Sequence, residues 1–345
     1  MLSTDTKQQR AEVVDGKTRT GGLTSRLRAF LGKPGAGIFI FLVVLLIVMG
    51  IGTPVMLSPG NLFGILNQMV FILIPAFGLT LVIIAGGLDL SVGSVLGLTG
   101  GICAFLIVRG APLPLAFALA ILAGAVLGLI NGLVVTRLRV PDFIATLAML
   151  GVARGVLYVW TQGVPFRNYM SPPYYYLGGL RMIAGKITIP LLIALFLLLV
   201  LSFLLQRTHY GVHLRATGSN PEAARLSGIS VRQVKVSAYV VSGMLSAITG
   251  ILLAGRLTTV HPDMGSGYEL RAIAAAVMGG AALSGGRGSF YGALVGAVTL
   301  TVIQNVINIL NLDTNWEDVI VGAIILFAVL IDRGALALAG RKSRA

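Results

Sequence analysis

Apolar runs recur along almost the whole chain, at 36–53, 63–85, 91–108, 113–136, 143–161, 188–206, 236–256, 271–284, 290–310 and 317–331. A helix needs about 20 such residues to cross a hydrocarbon core roughly 30 Å thick. Several runs are shorter, and 271–284 reads as a tilted or partly buried helix that does not meet lipid along its whole length. The expected fold is an all-α integral membrane protein with about ten transmembrane helices. Composition agrees. Only 11% of the residues are charged, against roughly 25% in a soluble domain, too few to cover a surface facing water. The 45 glycines suit helices whose backbones approach closely.

The formal charge of +14 does not point to nucleic acid. The basic residues sit in short segments between apolar runs rather than clustered on one folded surface, which is the pattern of topology signals. With the N-terminus inside, nineteen of the 26 Lys and Arg fall in inner segments and six in outer ones, with Arg154 left inside a span. Both termini are then cytoplasmic and the number of spans is even. Residues 1–35 read as a cytoplasmic tail ahead of an uncleaved anchor, because no small-residue cleavage site follows the first apolar run. Residues 36–335 form the transmembrane domain and 336–345 a second cytoplasmic tail. Cys103 is the single cysteine, so no intramolecular disulfide or cysteine-based metal site forms.

Two connections are longer than a turn. The outer one, 162–187, carries Phe166, Tyr169, Tyr174, Tyr175 and Tyr176; it reads either as an interfacial aromatic belt or as a docking surface for an external partner. The inner one, 206–235, contains Asn220, Pro221, Glu222, Ala223, Ala224, Arg225, Leu226, Ser227 and Gly228 in order, which spells a short helix. Asn220 is a good N-cap and Pro221 fits the first helical position. Glu222 meets the positive end of the dipole, and Gly228 suits a left-handed stop. Two turns are not stable alone in water, so this helix needs a surface. It either lies on the membrane or is gripped by a cytoplasmic motor.

The stretch from Ala216 to Ile229 resembles the cytoplasmic coupling segment of monosaccharide ABC-importer permeases, the ribose-permease family. Gly86-Gly87-Leu88-Asp89-Leu90-Ser91-Val92-Gly93-Ser94 resembles that family's acidic turn after the second span. Gly267-Tyr268-Glu269-Leu270 through Gly285-Gly286-Arg287-Gly288 resembles its signature around the eighth. The similarity covers about residues 36–335. Arg271 departs from it, standing where an acidic residue is expected. The resemblance implies a type II importer fold in the bacterial inner membrane. It also implies a second permease subunit, identical or related, around a shared path, a cytoplasmic ATPase with two nucleotide-binding domains, and a periplasmic sugar-binding protein. ATP and magnesium would bind the ATPase. This chain carries no Gly-x-x-x-x-Gly-Lys-Ser/Thr phosphate loop, so no cofactor or catalytic residue is expected in it.

Polar residues inside spans need a partner or a wet cavity. Asn67 and Gln68 lie in the second span, and Gln304, Asn305 and Asn308 share a helix face. Neutral amides suit sugar hydroxyls, and interhelical hydrogen bonds explain them equally well. Asp89, with Ser91 beside it, reads as the N-cap of the third span or as a gate. Arg154 either snorkels or pairs with a carboxylate. His209, His213 and His261 fall in loops without metal-ligand spacing. An ion-coupled secondary transporter is the alternative to an importer subunit; it would want a relay of buried ionisable residues, and Asp89 and Arg154 are the few candidates. A membrane enzyme would want a cluster of His, Asp or Cys near one membrane face, and none is present.

Overall fold

The computed structural model describes residues 36–324 and 326, apart from 168, 181, 182, 184–186 and 314. Both expected tails, and the last expected span beyond 326, lie outside the described residues. The helices are α1 (Ala36–Gly52), α2 (Pro59–Gln68), α3 (Val70–Ile84), α4 (Val92–Val108), α5 (Leu113–Arg137), α6 (Asp142–Thr161) and α7 (Pro172–Leu177). They continue as α8 (Ile189–Arg207), α9 (His209–Ser219), α10 (Pro221–Leu226), α11 (Val231–Leu257), α12 (Tyr268–Met278) and α13 (Phe290–Ile309). A further helical segment covers 316–324. Among the described residues there is no β-strand, only isolated bridges between Phe166 and Val260 and between Ile183 and Ile187.

Among the described residues, six spans are long and apolar enough to cross a membrane: α2 with α3, α5, α6, α8, α11 and α13. The apolar helices α1 and α4 are shorter. The α2–α3 span begins at a defined cap, where Ser58 accepts a hydrogen bond from the Asn61 amide and Pro59 takes the first position. Every residue of α3 is buried. A helix apolar all round belongs at the centre of a bundle, and α3 packs against α8, α11, α12 and α13.

The outer helices are apolar on both faces. In α8, Leu191, Ala194, Leu198, Leu201 and Leu205 point inward, while Leu192, Leu195, Phe196, Leu199 and Phe203 are exposed. A continuous exposed apolar stripe of this kind is expected against hydrocarbon and not against water.

The longest helix, α11, is 27 residues, about 40 Å at 1.5 Å per residue. Its seam with α5 is made by glycine. A Cβ on Gly124 would overlap the Gly243 carbonyl, one on Gly128 the Tyr239 carbonyl, and one on Gly132 would stand 2.9 Å from the Val236 Cα. Gly292 and Gly296 place α13 against Gly279 and Ala275 of α12 in the same way. Gly288 extends that spacing in the sequence but precedes the α13 cap residue, Ser289, and packs on Ile84 instead.

The expected helix at 271–284 is displaced to Tyr268–Met278 and has eleven residues. The segment before it is not helical and lies along α4. Cβ atoms on Gly93 and Gly97 would overlap the carbonyls of Gly265 and Met264. Glycine on α4 admits bare backbone here. Non-helical backbone inside a bundle is tolerated where protein covers it.

Candidate functional site

The connection at 206–235 folds into two docked helices and the start of a third. The sequence places His209 and His213 in a loop, but both lie in α9. The reason is tertiary. Gly211, Leu214, Thr217 and Gly218 repeat at helical spacing and are buried beneath α9, yet two glycines and a threonine give little hydrophobic signal. His261 is outside any helix.

α10 has the ends its sequence predicts. Asn220 is extended, at φ −154° and ψ 98°, and its Oδ1 accepts hydrogen bonds from the amides of Glu222 (3.1 Å) and Ala223 (3.0 Å). At the other end Gly228 has φ +83°. Its amide donates to Arg225 O and that of Ile229 to Ala224 O, both at 3.0 Å. This pair of bonds satisfies the last carbonyls of the helix. Ser227 Oγ donates to Ala223 O at 2.9 Å. Ala224 faces inward, whereas Leu226 is 76% exposed. Arg225 and Glu222 form an exposed ion pair at 2.6 Å, and the hydrogen bond from Arg225 holds the Glu222 carboxyl below its ordinary range.

Asp89 is not the cap of α4. Ser91 occupies the cap position, and Asp89, two residues earlier, is buried. Its carboxylate accepts from the Ser91 amide (3.0 Å), Ser91 Oγ (2.6 Å) and Ser242 Oγ of α11 (2.9 Å). Asn131 of α5 donates to Ser91 Oγ at 2.9 Å. One carboxylate and three neutral side chains thus tie α4, α5 and α11 together.

The span amides separate into two kinds. Asn67 is buried and accepts from Thr188 Oγ1, at the cap of α8, at 2.7 Å. Asn305 exchanges bonds with Asn61 at 2.9 and 3.0 Å. Gln68, which is exposed, donates to Gln304 Oε1 at 3.0 Å, and Gln304 donates to Glu317 Oε2 at 3.1 Å. Glu317 in turn pairs with Arg271 at 2.8 Å, and Asp318 stands 3.8 Å from the same guanidinium. Asn308 is exposed near the end of α13. Arg271 therefore has its acidic partners, supplied from 46 residues downstream. Arg154 is held by backbone: its Nη1 donates to the Met264 carbonyl at 3.2 Å, fixing the irregular segment against the bundle.

The connection at 162–187 buries Tyr169 and Tyr174, which the sequence places at a surface. Their hydroxyls donate to Ala254 O and Ile251 O at the end of α11, each at 2.8 Å. The Phe166 ring meets Phe105 at a tilt and Trp160 edge-on. Arg167, Met170, Tyr175, Thr258 and Thr259 line a cavity of about 370 Å³ beside them.

Apolar outer faces, side chains hydrogen-bonded between helices in the interior, and six long apolar spans among the described residues define a polytopic helical membrane protein. The family described as branched-chain amino acid transport system, permease component, matches residues 61–329, and the chain belongs to it. The ribose import permease protein of Bacillus subtilis (strain 168) is 40% identical over 327 residues, 95% of this chain and 98% of that protein. The protein of the same description from Escherichia coli (strain K12) is 38% identical over 295 residues, 85% and 92% of the two chains. An L-arabinose ABC transporter permease protein of Azospirillum brasilense is 33% identical over 298 residues, 86% and 87%. No solved structure matches this chain.

Proposed function

We propose that this chain is the membrane-spanning permease subunit of an ATP-driven importer, and that its solute is a monosaccharide of the ribose class. The reading rests above all on α10. A six-residue helix gains little from its own propagation, yet here it is capped at both ends, docked through Ala224 and left with Leu226 uncovered. A rigid element with an exposed apolar residue suits the grip of a partner. We take that partner to be a cytoplasmic ATPase subunit with two nucleotide-binding domains, on which ATP and magnesium bind, a reading supported by the description of one relative as an ABC transporter permease. A periplasmic sugar-binding protein delivers the solute to the opposite face, near the cavity at Arg167 and Thr258. A second permease subunit, the same chain or a related one, completes the path, with both termini of each in the cytoplasm of a bacterium.

Within this reading the amides divide their work. Gln68, Gln304 and Asn308 offer donors and acceptors without charge to a sugar's hydroxyls, with Asn305 beside them. Asn67, Asp89 and Ser91 hold helices together. In vesicles containing the permease, its ATPase and the binding protein, sugar accumulates only with ATP. Leu226→Asp, at a solvent-facing position, leaves the permease folded and abolishes copurification of the ATPase. Accumulation by the permease alone, driven by a proton or sodium gradient, overturns the importer reading in favour of a secondary transporter.

A further inference from the structure

Two turns that are far apart in sequence meet the end of α9. The first, 84–87, follows α3; the second, 282–288, precedes α13. Gly218, the penultimate residue of α9, sits between them. A Cβ there would overlap the Ile84 carbonyl oxygen and stand 2.6 Å from the Gly286 amide nitrogen. That amide donates to Ile84 O at 2.9 Å, joining the two turns directly. Gly86 and Gly285 complete the contact, with a Cβ on Gly285 falling 2.6 Å from Gly218 O and 3.1 Å from the Gly86 Cα. Both have positive φ, +71° and +88°, which glycine adopts without strain.

The first turn and the two residues that follow it are held by one face of α11. Lys235 Nζ donates to Gly86 O (3.2 Å), Tyr239 OH to Leu88 O (3.1 Å) and Ser242 Oγ to Asp89 (2.9 Å). These residues are spaced i, i+4 and i+7, so they share a helix face. Directly after Gly218 and Ser219 comes Asn220, the cap of α10.

We infer that Gly218 is the positioning residue through which movement of α9 and α10 enters the membrane helices: it clamps the 84–87 and 282–288 turns, so α3, α13 and, through Lys235, α11 follow α9 as one body. This rests on the importer function proposed above and supplies a mechanical route for it. Backbone-on-backbone contact without intervening side chains leaves little slack, because packed interiors shift between discrete arrangements and do not deform smoothly.

The test uses the complete transporter in lipid, with spin labels at the exposed positions Arg215→Cys on α9 and Arg287→Cys on the second turn. The label distance stays constant to within about 2 Å between the nucleotide-free and ATP-bound states, although one-turn shifts of about 5 Å are available to elements that slide. In an unlabelled assembly, Gly218→Ala retains the ATPase and its basal hydrolysis but lowers sugar uptake by about tenfold or more, and in the labelled pair it lengthens the distance. A distance that changes by about 5 Å during the cycle, or a Gly218→Ala transporter as active as the original, overturns the clamp. If Gly218→Ala does not fold, the distance in the unsubstituted clamp decides alone. Failure of any ATPase to bind the unsubstituted chain instead removes the importer reading, and the clamp with it.

Discussion

Asp89 is buried and accepts three hydrogen bonds. Its cost of removal follows from what stays behind. Asp89→Ala leaves the Ser242 hydroxyl and the Ser91 amide buried without an acceptor, each such orphan costing about 1–3 kcal/mol. The midpoint of thermal unfolding in detergent therefore falls, and falls further than in Asp89→Asn, which keeps one carbonyl acceptor. Equal midpoints for Ala and Asn would show that these hydroxyls have found other partners. Asn220 makes the contrast. Its role is local, since its acceptor oxygen reaches amides two and three residues away, and a cap is legible wherever the signal and its target lie in one turn. Asp89 reads as a cap by the same rule. What makes it a tie between helices is Ser242, 153 residues distant, and nothing in the local sequence announces that.

At the scale of elements, Arg271 shows how a segment distant in sequence supplies the buried partner of an ion pair. Arg271 lies one turn into α12, and its partners Glu317 and Asp318 come from the segment after α13. Glu317 is buried, so Arg271→Ala leaves a carboxylate there without its cation, a loss of about 3 kcal/mol. Replacing both, as Arg271→Met with Glu317→Leu, costs less than the single change. A double-mutant cycle in thermal unfolding measures the difference, and strict additivity would show the pair to be uncoupled. The position of α12 departs from expectation. Apolar residues after 271 favour a helix there, but Gly267-Tyr268-Glu269-Leu270 opens α12 as Gly87-Leu88-Asp89-Leu90 precedes α4. The same four-residue pattern thus stands before or at the start of a helix in each half of the chain. A search for apolar runs passes over it, because half of each pattern is Gly and an acidic residue.

At the scale of the whole molecule, close backbone approach at glycine sets several of the seams between helices. On α5, a side chain on Gly128 would meet the carbonyl of Tyr239 and stand 3.0 Å from the Val240 Cα. Neither is the end of a flexible side chain, so Gly128→Val forces α5 from α11 and abolishes the monodisperse protein in size-exclusion chromatography. Gly151 and Gly155 of α6 have nothing within 4 Å. Alanine at either leaves the unfolding midpoint within about 2 °C of the original, since a helix-interior glycine is worth at most about 1 kcal/mol relative to alanine. A large loss at Gly151 would mean that α6 is covered in the isolated chain.

Length and spacing of apolar runs fixed the helical membrane class and the places of most spans, because hydrocarbon thickness imposes one length on every crossing element. Short-range chemistry fixed the ends of α10, since caps act within a turn. Tertiary structure decided the rest: which glycines face a neighbour, which amides pair inside and which face out, and that Gly86, Gly218 and Gly285 share one junction. The three glycines of that junction alone stand 67 to 199 positions apart. In a chain whose helices are apolar on every side, periodicity does not say which side a neighbour will take, and only the packed bundle chooses it.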